Sequence, residues 1–146
     1  MMPLAPRAAL RDLRGMTFSR RDLWALLSVA AAIGLMTAYR HVYVEPRAWG
    51  AICLDLAGAP LACRPRAALL WLQHWQLWGA GAMLLGFWAF LGAPLAVRAA
   101  AVALGVIAVL NFNATWGMIG VALGAWAWVE ANARAQVPSS RTARRG

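Results

Sequence analysis

The 146 residues are 62% hydrophobic and 13% charged, with nine tryptophans, whereas soluble domains average about 45–50% apolar and about 25% charged residues. A water-soluble chain of this length could not bury that excess, so lipid is the solvent its composition calls for. The net charge of +9 comes from fourteen arginines and no lysine; they sit in short flanks of apolar runs, which is a topology pattern and argues against nucleic acid as a partner.

Residues 1–22 form an Arg-rich segment. Within it, "SRRDLWALL" at 19–27 looks like a twin-arginine export signal. Ser19 lies three residues after Met16, which leaves open that residues 1–15 precede the true start. No small-residue cleavage site follows the apolar stretch; "TAYRHVYVEP" does. The stretch therefore reads as an uncleaved anchor, and the first of four apolar runs, 23–39, as a membrane helix.

A loop at 40–66 follows, holding the two cysteines, Cys53 and Cys63, around a Gly58–Pro60 turn. In an oxidising compartment the default is a structural bridge between them, contributing about 2–3 kcal/mol by loop closure. Thiol oxidoreductase chemistry would want a C-x-x-C pair, and none is present.

The second run, 67–91, contains "LLWLQHWQLWGAGAMLLG". Read as one continuous helix, it puts Trp71, Trp75, Trp78 and Ala82 on one face, His74 at its edge, and Gln73 with Gln76 opposite. Residues 73–76 would lie about 9–14 Å along that helix, one turn below a headgroup layer about 5–7 Å thick. Pro94 separates this run from the third, 95–110, whose only charge is Arg98. "NFNAT" at 111–115 supplies a turn and, in Thr115, a cap for the fourth run, 115–129. That run carries Gly117, Gly120 and Gly124, a small-residue stripe suited to close helix packing. Similar stripes occur at Ala30, Gly34 and Ala38, and at Ala101 and Gly105; they are expected to serve packing within the chain. The Arg-rich tail 131–146 is expected to be disordered.

Arginine counting sets the orientation. Ten flank the N-terminus, the 91–98 turn and the tail; four (Arg40, Arg47, Arg64, Arg66) lie in the 40–66 loop. With four crossings, both termini are expected in the cytoplasm and the loop in the periplasm. The expected fold is thus an all-α bundle of four transmembrane helices. The lack of lysine and wealth of Ala and Arg fit a high-GC bacterium and its inner membrane.

Gln73, His74, Gln76, Asn111 and Asn113 all fall in the outer half, where polar groups must converge on one another or on water. They are expected either to tie the helix ends together or to form a shallow outward-facing pocket. A haem between His41 and His74 is disfavoured, because the two differ in depth and no C-x-x-C-H motif is present. Two lone histidines likewise make no metal site. No cofactor is expected. No nucleotide-binding glycine loop, nucleophile–base set or carboxylate pair appears, so the expected function is that of a non-enzymatic accessory or scaffold protein. Its partners are the lipid bilayer and a membrane protein or second copy. The alternative is a periplasm-facing enzyme or binder of a lipophilic, quinone-like molecule, using the pocket around His74.

Overall fold

The computed structural model describes residues 19–55 and 57–136. These are 81% helix, with no strand among them, so the fold class is all-α. Most of the N-terminal Arg-rich segment and residues 137–146 of the tail lie outside the described residues.

Ser19 starts α1 (Arg20–Tyr39) through a capping box. Its hydroxyl accepts the Asp22 backbone N–H at 3.2 Å, and the Asp22 carboxylate accepts the Ser19 N–H at 3.1 Å. The twin arginines occupy the first helical turn. Beyond Tyr39 the backbone widens into a π turn, Arg40–Val44, making one helix of 25 residues that is long and apolar enough to cross a membrane. A short α2 (Ala48–Ile52) leads into the loop, which the Cys53–Cys63 disulfide closes with the two Cα atoms 5.4 Å apart.

The run 67–91 is not one helix. It divides into α3 (Cys63–His74) and α4 (Leu77–Phe90), and Gln76 between them sits in the left-handed region at φ 54°. The shared face expected for Trp71, Trp75, Trp78 and Ala82 therefore does not exist. No glycine or proline marks the break. The disulfide and Tyr39 hold α3 at its start, and the 111–113 turn contacts its end.

Pro94, in extended conformation, precedes α5 (Leu95–Leu110). The turn at 111–113 leads to α6 (Ala114–Gln136). The Asn113 carbonyl accepts the first helical N–H, that of Gly117, at 3.0 Å. Thr115 lies one residue inside the helix and is not its cap, and α6 runs past residue 129.

Helices α4, α5 and α6 pack as a triplet, with α5 running opposite to the other two, and α1 leans on α5. The triplet's interior is built from small residues. A Cβ added at Gly120 would lie 2.5 Å from the Ala82 carbonyl oxygen, and one at Gly105 would lie 2.7 Å from that of Gly117. Backbones this close leave no room for side chains. Ala82, Ala89, Ala101 and Ala108 are fully buried, while Leu84 and Met118, on the outside, are 67% and 62% exposed. The stripes at Gly117–Gly124 and Ala101–Gly105 serve this packing. The stripe on α1 does not: Ala30, Gly34 and Ala38 are exposed, and nothing approaches Gly34 within 4 Å.

Candidate functional site

The chain's polar side chains concentrate at the two ends of the bundle. At the end where α1 starts and α6 finishes, Trp128 Nε1 donates to Asp22 Oδ1 at 2.8 Å, and both residues are buried. The Asp22 carboxylate also accepts the Ser19 hydroxyl at 2.6 Å. An apolar cluster of Val29, Ala99 and Trp128 packs above this contact. The start of α1 and the C-terminal half of α6 are thereby joined. Nothing in the local sequence marked Asp22 and Trp128 as partners.

At the opposite end, below the disulfide loop, Arg40 is 8% exposed and donates from Nη1 to Asn111 Oδ1 at 2.7 Å. Its guanidinium carbon stands 5.3 Å from the centre of the Phe112 ring, a cation–π arrangement. Asn111 Nδ2 in turn donates to the Ile107 carbonyl at 2.8 Å. No carboxylate neutralises Arg40 among the described residues; an amide oxygen and an aromatic face hold the charge. Phe112 takes φ 60° so that the chain can turn there. The left-handed residue of the turn is therefore Phe112 and neither asparagine, since both asparagine side chains are drawn inward as hydrogen-bonding groups.

Four of the five expected pocket residues come together. Gln73, His74, Gln76 and Asn113 line an open concavity of about 360 Å³, with Leu70 and Phe112 completing its wall. The break at Gln76 makes this convergence feasible, because Gln76 now belongs to a turn and not to the opposite face of a helix. Asn111 does not join them: it is fully buried and committed to Arg40. Asn113 spans the two regions. Its Nδ2 donates to the Asn111 carbonyl at 2.9 Å and, at 3.5 Å, to the Gln73 carbonyl. Its Oδ1 is buried and has no hydrogen-bonding partner. A buried acceptor without a donor costs about 1–3 kcal/mol. His74 is exposed and stacks edge-on against Trp75, ring centres 5.4 Å apart. His41 stands apart, its Nδ1 2.8 Å from Glu45 Oε2 in the π turn.

Helix α3 is held across this end. Tyr39 donates its hydroxyl to the Ala62 carbonyl at 3.2 Å, and Arg66 Nε donates to the Tyr43 carbonyl at 3.1 Å. These contacts fix the start of α3 at the level of Arg40, and the Asn113–Gln73 contact holds its end near the same level. A helix of 12 residues is about 18 Å long, so α3 lies over the bundle end like a lintel from α1 to α4. Arg40 was legible as a residue of this side of the chain; its burial was not.

No protein-family model, curated protein or solved structure matches this chain.

Proposed function

We propose that this chain is a bacterial inner-membrane protein that crosses the bilayer four times, through α1, α4, α5 and α6, with both termini cytoplasmic and the disulfide loop periplasmic. Its role is that of a non-enzymatic accessory protein that binds a membrane partner. One observation carries the membrane part: small residues fill the bundle and large apolar ones clothe it, with Ala82 and Ala101 at 0% exposure and Leu35 at 74%. In water the hydrophobic effect drives large side chains inward. In lipid that drive is absent, and close backbone approach becomes the source of association. The Asp22–Trp128 hydrogen bond supports an even number of crossings, since it joins the start of the first helix to the last helix. At 14 and 16 residues, α4 and α5 are about 21 and 24 Å long against a hydrocarbon core of about 30 Å; local thinning and flanking tryptophans accommodate that mismatch.

The partner-binding part is supported by α1. Only 6% of its apolar window is buried within the chain, and the stripe at Ala30, Gly34 and Ala38 has the form that the triplet uses for its own packing. Affinity purification in mild detergent tests it. A partner protein should co-purify with the native chain and be lost on Gly34→Leu, with thermal stability unchanged. If neither chain retains a partner, the accessory reading fails.

A second reading, a binder of a lipophilic molecule with a polar head, is favoured by the convergence of Gln73, His74, Gln76 and Asn113 on one open concavity. A bound chromophore or small molecule that leaves on His74→Ala would support it, and a ligand-free preparation would exclude it.

A further inference from the structure

Helix α1 packs on α5 and barely touches α4. Between α1 and α4, under α3, an apolar groove of about 560 Å³ remains. Leu35, Met36 and Tyr39 of α1 form one wall, Ala68 and Leu72 of α3 the roof, and Trp78 of α4 the far side. A second apolar concavity lies between α1 and α5 towards the other end, lined by Arg21, Ala25 and Ser28. The α1 residues lining these concavities (21, 24, 25, 28, 29, 32, 35, 36 and 39) recur every three to four positions, which is one face of a helix. The chain thus leaves two apolar concavities open along one side of α1, the one beneath α3 closed above by a helix that its own hydrogen bonds suspend.

The roof is apolar below and cationic at one edge. Pro65, which lines the groove, is flanked by Arg64 and Arg66. Arg66 is fixed there through Nε, leaving both Nη groups without a hydrogen bond to any other described residue. Positions 40–66 hold four arginines against two carboxylates, Glu45 and Asp55, and Glu45 is engaged by His41. An apolar slot beneath an arginine-bearing rim matches an acyl chain below a phosphate, since arginine takes phosphate oxygens in a two-pronged hydrogen bond.

We propose that this groove is a binding site for an anionic phospholipid of the outer leaflet, one acyl chain lying between α1 and α4 under α3 and the phosphate held at the rim by Arg66. The inference rests on the membrane reading above. Native mass spectrometry of the full chain, purified in detergent and titrated with phosphatidylglycerol or phosphatidylcholine of identical acyl chains, tests it. Phosphatidylglycerol should be retained as a single adduct, about tenfold more tightly than phosphatidylcholine. Arg66→Gln should bring the two lipids to near-equal retention, and Ala68→Trp, which fills the groove from the roof, should remove the adduct. Should Ala68→Trp fail to form the disulfide, Leu35→Trp fills the same space from α1. Equal retention of both lipids by the native chain, or undiminished binding in a correctly bridged groove-filling variant, overturns the proposal. A chain that dissolves without detergent overturns the membrane reading, whereas a detergent-requiring chain with no lipid preference overturns the groove alone.

Discussion

Arg40 and Asn111, separated by 71 positions, meet at 2.7 Å inside the bundle, and the amide oxygen is the only hydrogen-bond acceptor the guanidinium has among the described residues. The pair ties the upper end of α1 to the turn between α5 and α6 and sets the level at which α3 crosses. Replacing Asn111 alone leaves a desolvated charge, a heavier loss than removing both.

Asn111→Leu should therefore cost about 1.5–3 kcal/mol, the range for a hydrogen bond to a charged group. The Arg40→Leu/Asn111→Leu double variant should recover part of that loss. Denaturant unfolding in detergent micelles measures both; a double variant less stable than the Asn111 single would contradict the pairing.

Gln76 holds a left-handed conformation without being glycine. Gln76→Gly should raise stability by about 1 kcal/mol, since glycine adopts this region without Cβ strain. Gln76→Val should lower it, because a branched Cβ makes the same region worse. If Gln76→Gly instead lowers stability, as it would inside a continuous helix, residues 67–91 run on as one helix and the break is absent.

Backbone approach at Gly120 leaves 2.5 Å between an added Cβ and the Ala82 carbonyl, whereas nothing lies within 4 Å of Gly34. Gly120→Leu should lose more than about 2 kcal/mol through overpacking. Gly34→Leu should leave the isolated chain at native stability or slightly above. Thermal melts of the two in one detergent make the comparison directly; equal losses would refute the assigned packing.

Cys53→Ser together with Cys63→Ser should lower stability by about 2–3 kcal/mol through release of the closed loop. In intact cells, maleimide labelling of the native chain should require prior treatment with a reductant, as expected of a bridged pair on the periplasmic side. Labelling without reductant would show free thiols.

Much of the architecture was legible because its signals are local. Pro94 cannot continue a helix and Asn111 begins a turn, so α5 falls at 95–110, where the apolar run lies. The stripes of Gly and Ala announce close backbone packing wherever they fall, and the two cysteines had only each other as bridging partners. The glutamines, His74 and Asn113 could be grouped because polar side chains in an apolar chain have few other places to go.

What stayed hidden depends on groups far apart in the chain. Nothing near Gln76 asks for a break; the contacts that accompany it, from Tyr39 at one end of α3 and the 111–113 turn at the other, join residues far apart in the chain. Asn111 and Asn113 look alike in sequence, yet one is spent on Arg40 and the other faces the concavity. Asp22 and Trp128, 106 positions apart, carry no sign of each other until the fold sets them 2.8 Å apart. The reason is general: backbone preference and side-chain size act over a few residues, so the linear order encodes them. The partner of a buried polar group is chosen by distance and desolvation in three dimensions, which exist only once the helices have packed.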